Sequence, residues 1–272
     1  MKKRPQLVLL VLVAATAAVL CLFPIFWMLL TALRPKPEIF ARTLHLLPSH
    51  FAWRNFEAAF RTYPVTTWLE NSLAITVLGT ALTVLLDLFA GYAFAKFTFP
   101  GRDALFMVFL GTLMLPTQVL MVPQFMTVAA FHGVNTYWAA ILPRAAETYG
   151  VFLARQFLSD LPDELLDAAR LDGASEWRIF WQVVVPLSKP VIAVLTLLLA
   201  LGEWNDFGWP LVILRDEHSM TLPVGLSLLQ GYRVNDWTGM MVIAFLSIVP
   251  AAALFLVLQR YFIQGISRTG LK

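Results

Sequence analysis

Six long apolar runs constrain the folding of this chain more than any other feature. They cover roughly residues 7–33, 72–94, 105–131, 137–158, 187–214 and 239–262. An α-helix needs about 20 residues to cross the hydrocarbon core of a bilayer, and each run has them. In lipid every backbone N–H and C=O must be bonded inside the segment, so such a run is expected to be helical. Charged residues make up 14% of the 272 residues, against about 25% in a soluble domain. The expected class is an all-α polytopic membrane protein: a single transmembrane domain over 1–272 with six transmembrane helices.

The start, "MKKRPQLVLLVLVAATAAVLCLF", has the charged head of a signal peptide. Its apolar run continues to Leu33, beyond the about 7–15 residues of a cleavable core, and it reads as an uncleaved span. Basic residues beside spans favour the cytoplasm. Lys2, Lys3 and Arg4 at one end and Arg260, Arg268 and Lys272 at the other place both termini inside, which requires an even number of crossings. Lys96 and Arg102, and the segment with Arg170, Arg178 and Lys189, fall on the same side. The loop 34–70 then lies outside, although it carries Arg34, Lys36, Arg42, Arg54 and Arg61. Within it Trp53, Phe56, Phe60 and Tyr63 recur at helical spacing. Two readings of that stripe stay open: an interfacial helix, or a docking surface for an external protein.

No internal repeat is visible, whereas many secondary transporters are built from two related halves. Six unlike spans fit a subunit that encloses a pathway with a partner. A clustered basic stripe is missing, so no nucleic-acid partner is expected. Cys21 is the lone cysteine, which excludes a disulfide within the chain.

The segment between the fourth and fifth runs is different in kind. In "LPDELLDAARLDGASEWRIFWQVVVPLSKP" and the residue before it, eight charged residues fall between Asp160 and Arg178. Each would cost roughly 2.5–3.5 kcal/mol at a bilayer centre, on the order of 20 kcal/mol together, so this segment cannot cross. Its grammar is helix, turn, helix. Asp160 suits an N-cap and Pro162 the first turn. Asp163 and Glu164 then sit at the positive end of the helix dipole. Gly173 can take the left-handed conformation that ends a helix, and Ser175 can cap the next one. Pro186 marks entry to the fifth run. Small Ala168 and Ala169 would let another surface approach, and Trp177, Phe180 and Trp181 suit the lipid interface. From these residues alone the elbow over 160–185 is either an ordinary amphipathic loop or a rigid element that plugs into a partner.

The stretch "DAARLDGASEWRIFWQVVVPLSKP" closely resembles the EAA motif of ATP-binding-cassette importer permeases. That motif runs Glu-Ala-Ala, three residues, Gly, nine residues, then Ile-x-Leu-Pro. Asp167, Ala168, Ala169, Gly173, Val183, Val185 and Pro186 stand in those places at the same spacing. "NSLAIT", "LPTQVLMVPQF", "GVFLARQFLSDLPDELLDAARLDGAS", "EWNDFGWPL" and "QRYFIQGI" are similar to ordered landmarks of the carbohydrate, maltose-type branch. The resemblance implies a type I importer permease fold in a bacterial or archaeal cytoplasmic membrane. It implies that the elbow is a coupling helix docking on an ATPase subunit, with Glu164, Asp167, Ala168, Ala169, Asp172, Gly173 and Pro186 at that junction. The implied partners are a second, different permease, two ATPase subunits, an extracytoplasmic solute-binding protein and lipid. ATP and Mg would be bound by the ATPase; no cofactor is expected in this chain, which is not itself an enzyme.

Ionisable residues inside spans are functional candidates. Asp87 in the second run reads as a polar contact with a neighbouring helix or with the partner subunit rather than as a solute ligand. Arg144 and Glu147, three apart in the fourth, could pair on one helix face or line a pathway. In "EWNDFGWPL", Glu203 and Asp206 would share one face, and Asn205 and Trp209 another. Pro210 would leave the carbonyl of Asp206 free. The aromatics Trp204 and Trp209, beside an amide and carboxylates, suit a sugar. Packing against a partner permease is the other reading of these faces. Glycerol 3-phosphate and related polyol phosphates are carried within the same branch, and Arg144 keeps an anion open.

Other functions find no support in the residues. "DGAS" begins like a phospholipid-headgroup transferase signature but continues with Glu176 and Trp177. "GLSL" at 225–228 lacks the second Gly of an intramembrane serine protease. No phosphate-cradling Gly-x-x-x-x-Gly-Lys occurs. A self-sufficient channel or carrier would need a filter motif or paired broken helices, and none is read.

Overall fold

The computed structural model describes residues 3–41, 46–231 and 236–269, helical wherever it is regular. The helices, in chain order, are α1 (Lys3–Ala32), α2 (Lys36–Ile39), α3 (Arg54–Thr62), α4 (Val65–Lys96), α5 (Arg102–Gly111), α6 (Thr117–Ala130), α7 (Tyr137–Ile141) and α8 (Thr148–Ser159). After these come α9 (Asp163–Leu171), α10 (Glu176–Ile179), α11 (Val185–Leu187), α12 (Lys189–Trp204), α13 (Gly208–Ile213), α14 (Leu222–Gly231) and α15 (Trp237–Thr269).

Among the described residues, three stretches are long and apolar enough to cross a bilayer as single helices: Leu7–Ala32, Val65–Lys96 and Trp237–Val257. Two bent pairs raise the number to as many as five: Arg102–Met114 with Thr117–Ala130, bent by 101°, and Glu176–Leu187 with Lys189–Trp204, bent by 78°. The first bend has a local cause. Pro116 forces the residue before it out of the helical region, and Leu115 is extended at ψ 118°. The second bend falls at Ser188, between Pro186 and Pro190.

The run at 137–158 is not a continuous helix. It forms α7, a 3-10 turn over Leu142–Arg144, an irregular stretch, and α8. The run at 187–214 is likewise interrupted: α12 ends at Trp204 and α13 restarts at Gly208. Both interruptions leave backbone groups outside the helical ladder, and these are tolerable at depth only against protein or water.

The chain packs as two units. In the first, Met1–Thr66 with Leu222–Pro250, a small core of Ala32, Ala59 and Val242 is covered by Phe56, Met241 and Leu246. Asn55 Nδ2 donates to the carbonyls of Ala32 and Arg34, both at 2.9 Å, and so caps the end of α1. The aromatic stripe read on residues 53–63 divides here. Phe56 and Tyr63 turn inward, Tyr63 donating to Asp236 at 3.2 Å, while Trp53 and Phe60 stay exposed.

The second unit is Thr67–Thr221 with Ala251–Lys272, and two of its cores lie among the described residues. One joins Val84, Leu88 and Tyr92 of α4 to Ala154 and Leu158 of α8, Leu166 of α9, and Ile179, Phe180, Val191 and Leu195. The other joins Ile75 and Val128 to Ala139, Ala140, Ile141, Trp209 and Ile213. Asn71 fixes the start of α4 within this unit. Its amide donates to His218 O and Met220 O at 2.9 Å, and its carbonyl accepts from the Tyr137 hydroxyl at 2.6 Å.

Candidate functional site

The elbow forms, with one shift of register. Pro162, not Asp160, is the N-cap residue, and α9 begins at Asp163. Asp160 instead ends α8. Proline cannot donate to an acceptor, so it sits comfortably before the ladder starts, and Asp163 and Glu164 keep the dipole-favoured first turn. Leu166, 2% exposed, anchors α9 in the first core, and Ala169 packs partly against it. The opposite face, with Glu164, Asp167, Ala168 and Asp172, is open, and Leu171 stands 90% exposed beside it.

Gly173 ends the helix with φ +80°. Ala174 N–H reaches Ala169 O and Gly173 N–H reaches Arg170 O, both at 3.0 Å, which closes the last carbonyls in a left-handed cap. Ser175 caps α10 as expected, its hydroxyl accepting from Arg178 N–H at 3.3 Å. Arg170 clamps the two helices. It donates to Asp167 Oδ1 at 2.8 Å and to Glu176 Oε1 at 2.7 Å. Those carboxylates, Glu176 foremost, raise the guanidinium pKa further above its ordinary value. The Tyr92 hydroxyl of α4 donates to Glu176 Oε2 at 3.1 Å. Beyond α10 the chain makes one π turn over Phe180–Val184 before α11, which holds Pro186.

The polar residues singled out in the fourth and fifth runs meet at the two helix interruptions. Arg144, at the end of the 3-10 turn, donates through Nη1 to Asp206 Oδ2 at 2.5 Å. Glu147 lies 3.9 Å from the same guanidinium. The pairing expected along one helix face is therefore the weaker contact, because the helix stops before Glu147 and α8 begins after it. Glu203 is on the last turn of α12, its carboxyl against Gly79 of α4, where an added Cβ would stand 3.7 Å from Glu203 Cδ. Asp206 lies beyond the helix end, so the expected helical faces Glu203/Asp206 and Asn205/Trp209 do not form. Asn205 is the C-cap residue, and its amide donates to Leu201 O at 2.8 Å. Trp209 is buried in the second core, its indole N–H on Ala139 O at 3.0 Å, and Trp204 is buried as well. Arg144, Glu147, Glu203 and Asp206 are thus brought together, while Trp209 packs in the second core and the Asn205 amide turns back to Leu201 O.

Asp87 belongs to the same region, and of the two contacts its sequence position allows, the one seen is with a neighbouring helix of this chain. It is fully buried in α4, and Oδ1 accepts from Glu147 N–H, the start of α8, at 3.0 Å. Oδ2 faces Gly150, where an added Cβ would run into the carboxyl, so only glycine admits it here. Thr83, one turn away on α4, donates to Arg144 O at 3.4 Å. Among the described residues no group of His, Cys, Asp and Glu side chains could hold a metal ion.

The sequence missed Lys96. It was read only as a charge flanking a span, yet its ammonium donates to Leu161 O and to Asp163 Oδ1, both at 2.6 Å. Those partners lie on the far side of four intervening helices in the chain, and no local spacing announces them.

The family model described as "Binding-protein-dependent transport system inner membrane component" matches residues 87–268. The chain is 37% identical over 261 residues to the arabinooligosaccharides transport system permease protein AraQ of Halalkalibacterium halodurans, covering 95% of this chain and 94% of the relative. It is 32% identical to the sn-glycerol-3-phosphate transport system permease protein UgpE of Pectobacterium atrosepticum, covering 90% of each. A solved bacterial ABC transporter involved in importing the acidic polysaccharide alginate has a chain of the same fold, with TM-score 0.83 at 23% identity, covering 96% of this chain and 98% of that one. The match over most of the chain and the identity to these relatives place it in the family of binding-protein-dependent transport system inner membrane components, the permeases of ABC importers.

Proposed function

We propose that this permease pairs with a second, different permease and two ATPase subunits, and receives a neutral sugar or oligosaccharide from an extracytoplasmic binding protein. ATPase closure moves the elbow, and the spans switch access across the cytoplasmic membrane of a bacterium or archaeon. ATP and Mg belong to the ATPase. In this reading both termini are cytoplasmic and six segments cross, the fourth being the interrupted pair α7 and α8.

The observation that carries the subunit role is the elbow. Glu164, Asp167, Ala168, Asp172 and Gly173 form an open surface held rigid from behind by Leu166 and Arg170. A rigid, exposed, two-helix surface on an otherwise apolar chain fits a protein groove.

The solute class rests on Arg144. Its guanidinium is occupied by Asp206, with Glu147 next to it and Glu203 on the neighbouring turn. A phosphate entering there would meet three carboxylates and a cation already paired. A polyol phosphate is the second reading, motivated by the UgpE relative. The test is a ligand screen by thermal shift on the binding protein encoded beside this chain. Oligosaccharides should raise its melting temperature; a shift with glycerol 3-phosphate and with no sugar would reverse the solute assignment.

A further inference from the structure

We infer that Lys96 is a positioning residue for transport: it fastens the elbow to the last turn of α4, making α4 a second route by which elbow motion reaches the polar cluster. The inference rests on the coupling role proposed for the elbow. The covalent route from the elbow runs through α10 and α11 into α12. Lys96 opens another within the same unit.

The Lys96 side chain is 5% exposed, while its partner Asp163 is 74% exposed. The ammonium is thus shielded even though the carboxylate is wet. Its two bonds, to Leu161 O and Asp163 Oδ1, hold the residues on either side of the α9 N-cap. Water cannot readily replace a shielded ammonium's partners, so separation of α9 from α4 is opposed. Tyr92, one turn earlier, holds α10 through Glu176, and the Phe89 ring stacks on Phe180 and Trp177 with centroids 4.1 and 5.3 Å apart. Both helices of the elbow are therefore tied to one stretch of α4. Farther along the same helix, Asp87 holds the start of α8, and Gly79 lies against Glu203. A displacement applied at α9 is transmitted along α4 to both interruptions.

The experiment uses the complete complex in proteoliposomes, with Lys96→Met and Lys96→Arg beside the unaltered protein. Stimulated ATP hydrolysis, solute uptake and recovery of the ATPase are measured together. In Lys96→Met, hydrolysis should stay within about twofold while uptake falls about tenfold, inside the range of a typical coupling free energy. ATP consumed per solute then rises, and Lys96→Arg, which keeps donors for both partners, should bring the ratio back toward normal. A purely structural role would lower uptake and hydrolysis in proportion. That result overturns the inference, as do normal uptake in Lys96→Met, loss of the ATPase from its complex, or an unrestored ratio in Lys96→Arg. Absence of an ATPase from the unaltered complex would instead overturn the coupling reading on which the inference rests.

Discussion

Arg144 and Asp206 are 62 residues apart in the chain and share a hydrogen bond of 2.5 Å, each at a point where its helix is broken. The bond ties the interruption between α7 and α8 to the one between α12 and α13. Neither partner is well solvated, with side chains 27% and 18% exposed, so the charges depend on each other more than a surface pair does. Asp206→Ala should lower the melting temperature of the purified complex more than Glu147→Ala, since loss of a buried partner costs about 1–3 kcal/mol. Equal effects of the two changes would show that the guanidinium is shared rather than held by Asp206.

Gly173 offers a test of backbone conformation free of steric crowding. An added Cβ there meets nothing within 4 Å in this chain, so within the chain the strain comes from φ +80°. Valine at such a φ is strained by about 1–3 kcal/mol, and asparagine tolerates it better. Uptake should fall in the order glycine, Gly173→Asn, Gly173→Val while membrane insertion is unchanged. Equal uptake by all three would remove the turn from the mechanism.

Asp87 and Gly150 make a coupled pair suited to a double-mutant cycle. Gly150→Ala drives a methyl into the Asp87 carboxyl, and Asp87→Ala leaves the Glu147 N–H unpaired at a cost of about 1–3 kcal/mol. Combining them removes the clash, so the double variant should be recovered in better yield than Gly150→Ala. Additive losses would mean that the two residues do not meet.

The crossing of the interrupted fourth segment can be read by chemical labelling. In a Cys21→Ser background, cysteine at Ser175 should react only with reagent on the cytoplasmic side, and cysteine at Arg61 only from outside. An odd number of crossings must separate them. Reaction of both from one side would show that α7 and α8 together do not traverse the bilayer, leaving the termini on opposite faces.

What the sequence disclosed and what it concealed follow from the range of the forces involved. The Gly173 turn, the Ser175 cap and the dipole placement of Asp163 and Glu164 are set within a few residues, and they were legible as such. The N-cap at Pro162 was missed by two positions because Asp160 has the better capping side chain, but the end of α8 already uses that position. The interruptions were harder. Pro143 and Pro210 signal irregularity, but helix α12 ends at Trp204, well before Pro210, where Asp206 turns away to meet Arg144. That partner is set by packing, as are Lys96 with Leu161 and Asp87 with Glu147. Hydropathy reads a run of apolar residues as one rod whether or not a distant ion pair breaks it.

Helix α1 has one more consequence. Over its most apolar window none of its residues is buried by the rest of the chain. Leu7, Leu9, Leu12, Val13 and Leu20 would contact lipid, a partner or detergent in the native protein, and they would do so equally after the interior came apart. The hydrophobic effect along α1 therefore cancels between the two ends of an unfolding experiment. Whatever binds that surface in the native assembly alone adds to apparent stability by mass action. A melting curve of the isolated chain in a micelle is consequently a property of a mixture, and its midpoint should move with detergent chain length and with added partner permease.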